Sequence, residues 1–266
     1  MKKILRIARL ELSIMFYSPI AWLVLIIFII QTGLTFTELL YNQETNQQLG
    51  RPLQVLTKIL FAGEDGILPA VQKNLYLYIP LLTMGLLSRE TSSGSIKLLQ
   101  SSPVTVPQIV LGKFVSMMIY SLLLTFVLLS FILAGVISVE ALDIKFVLGG
   151  ILGIYLLMCA YSAIGLFMSS LTSYQVVAAI STLAVLAALN FIGKIGQEYD
   201  FVRDITYWLS ISGRAEHAVN GLISSKDLIY FLLVIWMFLQ LTIMKLQGER
   251  KTSTAGIKLL RYSFVV

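Results

Sequence analysis

The chain is 266 residues long, 57% hydrophobic and 13% charged, with a mean hydropathy of +0.85. Soluble domains carry about 25% charged residues, so this chain has too little polar surface to coat a globule in water, and lipid is its solvent. A net charge of +6 would suit nucleic acid in a polar chain. Here the basic residues flank apolar runs, which makes them topology signals and argues against a nucleic-acid partner. Single copies of cysteine (Cys159) and histidine (His217) exclude an internal disulfide and a Cys/His zinc cluster, and both read as packing or interfacial residues.

Residues 1–18 form a separate element. Lys2, Arg6, Arg9 and Ser13 recur at helical spacing on one face, while Leu5, Ala8, Leu12, Met15 and Phe16 line another. This is the pattern of an amphipathic helix lying at a membrane surface, and Ser18-Pro19 then turns the chain inward. A secretory signal peptide would also start basic, but the apolar run is too long for one and no small-residue cleavage site follows it.

A spanning helix needs about 20 mainly apolar residues. Residues 20–36 provide the first span. The second, 67–87, accommodates Lys73, which can snorkel, and Pro80, which loosens the helix. The third is 114–139. Residues 146–193 are uncharged and long enough for two more, divided by the polar cluster from Ser169 to Gln175, and 228–244 is the sixth. The expected fold is therefore an all-α integral membrane protein: an amphipathic interfacial helix over 1–18, a six-span transmembrane domain over 19–250, and a tail over 251–266. That tail turns apolar again and reads as a surface helix or the start of a further region.

Two connections are long. Residues 41–65 are polar. Residues 194–226 mix charges with Phe201, Tyr207, Trp208, Leu209 and Ile211, a density that suggests short helices resting at the membrane interface. With the amino terminus placed in the cytoplasm, twelve of the 20 basic residues and three of the 14 acidic ones fall inside, and both termini are cytoplasmic.

No catalytic constellation is visible. Gly112-Lys113 and Gly193-Lys194 lack the upstream glycine and the following Ser/Thr of a phosphate-binding loop and read as helix-end features. No metal-ligand spacing and no paired carboxylates within a span occur, and the spans lack the buried charges that mark ion relays, which argues against an ion-coupled secondary transporter. Gly149 and Gly153 form a small-xxx-small pair suited to close helix packing.

The informative stretch is residues 88–113, SRETSSGSIKLLQSSPVTVPQIVLGK. It turns at Ser93-Gly94, continues as a short helix through Ile96, Leu98 and Leu99, and stops before Pro103. Thr105 then caps a second short helix with Pro107 in its first turn. Caps, breakers and paired leucines order this loop into a knob that a cytoplasmic partner could seat.

Its pattern resembles the intracellular signature of type-2 ABC exporter permeases: Glu90, Gly94, Leu98-Leu99, Ser102-Pro103 and Gly112-Lys113, in that order. Ser18-Pro19-Ile20, the 160–165 stretch AYSAIG and Gly221-Leu222-Ile223 are similar to the bacterial subgroup that contains the gliding-motility permease. Gly85 and Arg89 depart from it, standing where that subgroup often has basic and acidic residues respectively. The resemblance implies the type-2 exporter permease fold, in a bacterial inner membrane, with two such subunits or two paralogues pairing with two separate ATPase subunits. Glu90, Gly94, Leu98, Leu99, Ser102, Pro103, Gly112 and Lys113 would form the ATPase-coupling segment. Tyr207 and Trp208 would belong to the outer gate. No cofactor is expected on this chain, since ATP and magnesium would sit on the partner. The rival reading is a membrane scaffold that anchors a surface complex and transports nothing.

Overall fold

The computed structural model describes residues 2–49, 61–63, 66–96, 104–138, 144–192, 211–219 and 224–263. The helices are α1 (Lys2–Tyr17), α2 (Pro19–Gln48), α3 (Ile67–Thr83), α4 (Ser88–Ser92), α5 (Val106–Ser138), α6 (Ile144–Leu171), α7 (Gln175–Phe191), α8 (Ile211–Val219) and α9 (Ser225–Ser263).

Four of them are long and apolar enough to cross a membrane: Pro19–Asn46, Val106–Gly135, Ile144–Leu171 and Ser225–Gly248. The expected second and fifth spans fall on α3 and α7, which have 17 residues each. At 1.5 Å per residue such a helix is about 25 Å long, short of the roughly 30 Å hydrocarbon core. Pro80 lies three residues before the end of α3, where it has no N–H to offer the preceding turn. The chain unwinds there into a turn and restarts as α4.

α6 is the centre of the bundle. Its most apolar stretch is 72% buried, against 28% for α2 and α9 and 39% for α5, and α3, α5, α7, α8 and α9 all pack on it. Small residues permit this crowding, because lipid offers no hydrophobic drive and helices associate through close contact. A Cβ on Gly150 would stand 2.5 Å from Leu68 and 3.1 Å from the Val219 carbonyl, and one on Gly165 would collide with the side chain of Thr83. α3 therefore runs parallel to α6, in contact from Leu68 with Gly150 at one end to Thr83 with Gly165 at the other. α7 shows the opposite pattern, burying only the stripe Ala178, Thr182 and Leu186.

The corner between α1 and α2 is built as the sequence suggests. Ser18 Oγ accepts from the Ile20 N–H, Pro19 occupies the first helical position, and Trp22 Nε1 donates to the Phe16 carbonyl at 2.9 Å. Other boundaries differ. α2 continues through Gln48 rather than ending in a loop near Tyr41, since its glutamates and glutamines favour helix and the Thr45 hydroxyl bonds back to the Tyr41 carbonyl. The stretch following Thr105 is no separate short helix but the start of α5. The Thr105 carbonyl accepts from Gln108 N, and the Gln108 side chain accepts from Thr105 N, one arm of a capping box. α9 likewise runs without a break past the expected sixth span to Ser263.

Candidate functional site: a buried charge knot between α1, α4 and α5

α1 buries Ala8, Glu11 and Met15, residues three and four apart and hence on one helix face. Two of them are apolar, and the third brings a carboxylate into the bundle. Facing it, Gly112 removes the side chain that would hold α1 off α5: a Cβ there would lie 2.7 Å from Ile7 and 3.2 Å from the Ile4 carbonyl. The next residue, Lys113, reaches into the gap. Its Nζ lies 3.0 Å from Glu11 Oε2 and 2.7 Å from Glu90 Oε1, while Arg89 donates to Glu11 Oε1 at 3.0 Å.

Two carboxylates and two cations thus neutralise one another. The Lys113 side chain is 1% exposed and that of Glu11 4%, which makes the pair costly to break, since the surviving partner would keep a buried charge uncompensated. Burial pushes the Glu90 carboxyl above its ordinary value, and Lys113 opposes that rise. Glu90 Oε2 has no hydrogen-bond partner among the described residues. The expectation that the spans lack buried charges, with Gly112-Lys113 as a helix-end feature, is corrected here, because the third span begins at Val106 and so includes the buried Lys113. Lys113 stands in the second turn of α5 and is the hub of the network.

α4 is also fastened to the centre of the bundle. Ser169, near the end of α6, accepts from the N–H groups of Leu87 and Ser88 at 3.0 and 3.1 Å and donates to the Met84 carbonyl at 2.9 Å. It satisfies the backbone that the unwound α3–α4 junction leaves open. Gly94, at φ +71°, takes the left-handed turn after α4 and is exposed, away from the ion network. The hydroxyls of Ser92, Ser93 and Ser95 bond to the last carbonyls of α4.

Of the expected coupling residues, Glu90, Gly112 and Lys113 therefore converge, while Gly94 turns the chain after α4, away from them. Leu98, Leu99, Ser102 and Pro103 lie outside the described residues, as do Tyr207 and Trp208 of the expected outer gate. Sequence reasoning missed Glu11, Arg89 and Ser169. The signal for Glu11 was available, a lone acid between two apolar residues of one helical face.

At the far end of the bundle α8 does not merely rest on a surface. Arg214 lies 3.2 Å from Asp227 and 4.6 Å from the centroid of the Tyr230 ring, both on α9, and Arg214 and Asp227 are buried. Neither cluster is arranged for catalysis, because every charge faces an opposite one. Among the described residues no group of three or more His, Cys, Asp or Glu could hold a metal ion.

A multi-pass helical bundle with a neutralised charge knot binding a surface helix to the foot of a long span defines a membrane component, not a catalytic domain. The family model described as ABC-2 family transporter protein matches residues 5–198. That is well over half of the chain, and the chain belongs to this family as a permease component of an ABC transporter. The match takes in Glu11, Arg89, Glu90, Lys113 and Ser169 and ends before α8. No curated protein sequence matches the chain.

Proposed function

We propose that this chain is the permease subunit of an ATP-binding cassette exporter, with residues 88–113 seating in a separate ATPase subunit that carries ATP and magnesium. The knot of Glu11, Glu90 and Lys113 carries this reading. It joins the short helix α4, inside the coupling segment, to the foot of α5 and to α1. A displacement of α4 is thus delivered to two elements at once, and through Ser169 to α6 as well.

Six crossings are part of the proposal. Support comes from the contact of α3 with α6 between Gly150 and Gly165, fifteen residues apart and so about 22 Å along the axis. α3 thus traverses most of the slab that α6 traverses. With six crossings both termini share one side, which the Lys/Arg distribution places in the cytoplasm, here of a bacterial inner membrane. A second copy or a paralogue would complete the pathway, and residues 194–226 with Tyr207 and Trp208 would form the outer gate. The resemblance to the gliding-motility subgroup allows the output to be mechanical transmission as well as export.

The test is a detergent pull-down of the tagged chain followed by an ATPase assay and by flux measurements in vesicles. Recovery of an ATP-binding cassette subunit, lost on substitution of Glu90, supports the reading. Recovery of that subunit with no ATP-dependent flux or transmitted movement would turn it into a scaffold.

A further inference from the structure

Beside the knot lies a small, half-open cleft, bounded by the α1–α2 corner on one side and by the end of α3 and the start of α7 on the other. Its polar lining comes from Glu11, Ser18, Arg89 and Gln175, and its apolar lining includes Ile20 and Leu81. Glu11 is already matched by Lys113 and Arg89, so it presents no free negative charge. Arg89 is different. A guanidinium has five N–H donors in a planar fork; one goes to Glu11, and the side chain remains 38% exposed. Gln175 adds an amide to the same wall.

The surroundings of the cleft suit a lipid headgroup. Tyr17 and Trp22 are 88% and 49% exposed at the corner that borders it, and Tyr174 is 71% exposed beside Gln175, in keeping with the aromatic residues that gather at headgroup depth. On α1, Lys2, Arg6 and Arg9 are exposed among the exposed apolar side chains of Leu5 and Leu10, while the helix's one acid, Glu11, is buried. A cationic amphipathic surface of this kind attracts anionic lipid.

We propose that this cleft is a binding site for an anionic phospholipid of the leaflet facing α1, with the phosphate on Arg89 and Gln175 and the first part of an acyl chain along Ile20 and Leu81. The phosphate shares Arg89 with Glu11, so an occupied site touches the charge knot directly. The inference is independent of the transport reading, since it concerns the permease alone.

The experiment is native mass spectrometry of the detergent-purified full chain, titrated with phosphatidylglycerol, phosphatidylcholine or inorganic phosphate. Wild-type protein should take up one phosphatidylglycerol about tenfold more tightly than phosphatidylcholine, and inorganic phosphate should not compete. R89Q should remove the preference. G85L should do the same by filling the cleft without touching an ion pair, and it covers the case in which R89Q fails to fold. The triple variant K2Q/R6Q/R9Q should weaken uptake yet keep the single saturable site. Equal binding of both lipids, or competition by inorganic phosphate, would overturn the proposal. So would a preference that survives R89Q and G85L but vanishes in the triple variant, which would mean diffuse attraction to α1.

Discussion

Glu11 and Lys113 stand 102 positions apart in the chain and meet at 3.0 Å, with both side chains almost wholly buried. A contact of such sequence separation between charged groups ties two elements more specifically than apolar packing does, because its loss leaves a desolvated charge rather than a gap. Replacing Lys113 with Met should therefore destabilise the fold by about 3–5 kcal/mol, the usual cost of removing one partner of a buried pair. Glu11→Gln should cost less, since a glutamine oxygen can still accept from Lys113 or Arg89. Thermal unfolding in detergent checks this, and a double variant whose loss equals the sum of the single losses would show that the two groups do not interact.

Packing at Gly165 leads to a second expectation. A methyl group there would collide with Thr83, and α3 cannot retreat freely, because Ser169 holds the chain that follows it. Gly165→Ala should lower the melting temperature, and Thr83→Ala in the same chain should restore part of the loss. Gly85→Ala is the control, since its Cβ would meet only Gln175, at 3.7 Å. Equal losses at Gly165 and Gly85 would mean that the helix contact is not what makes glycine necessary.

Much of this architecture was legible because membrane helices announce themselves by uninterrupted apolar runs. The uncharged run expected from residue 146 does hold two helices, but the break expected over Ser169–Gln175 is confined to residues 172–174, with Ser169 and Ser170 still inside the first of them. The boundaries of α2 and α5 were less legible. Both extend into polar sequence, and there the choice between helix and loop rests on individual bonds such as Gln108 to Thr105. The charge knot was half legible. Glu90, Gly112 and Lys113 lie in one stretch of sequence, whereas Glu11 and Ser169 reach the same place only through the fold. Composition says nothing about which of 14 acidic residues are buried, as Glu11 and Asp227 are.

Glu90 carries a pH dependence whose direction follows from its surroundings. Burial raises its pKa above the ordinary 4.5, with Lys113 opposing. A carboxyl raised in this way binds its proton more tightly when folded. Its contribution to stability is thus fully present below about pH 4.5 and is lost as pH rises through the folded value. Compared with Glu90→Gln, which does not titrate, the wild-type melting temperature should fall as pH rises through that window. The opposite trend would show that attraction to Lys113 outweighs burial.

At the other end of the bundle, the Arg214–Asp227 pair fixes α8 on α9. Asp227→Asn should leave the Arg214 charge buried against Tyr230, at a cost of about 3–5 kcal/mol if α8 stays docked. Detachment of α8 would relieve that cost, and hydrogen exchange over 211–219 should therefore accelerate while α6 remains protected. Unchanged exchange in α8 would mean that packing on α6 alone holds it. The exchanged pair Arg214→Asp with Asp227→Arg should recover part of the protection.

Ser169 offers the sharpest separation of stability from coupling. Its hydroxyl serves three backbone groups at the α3–α4 junction, and Leu87 and Ser88 are buried. Ser169→Ala strands two N–H donors at about 1–3 kcal/mol each, so the melting temperature should drop. Nothing in this change touches Glu11, Glu90 or Lys113, and an ATPase subunit should still bind α4. If α4 passes its movement to α6 through this hydroxyl, ATP hydrolysis should persist in the variant while ATP-dependent flux falls. Ser169→Thr, which retains the hydroxyl, should rescue both flux and melting temperature if the extra methyl fits. Flux that survives in Ser169→Ala, measured per turnover of ATP, would assign transmission to the α5 route through Lys113 instead.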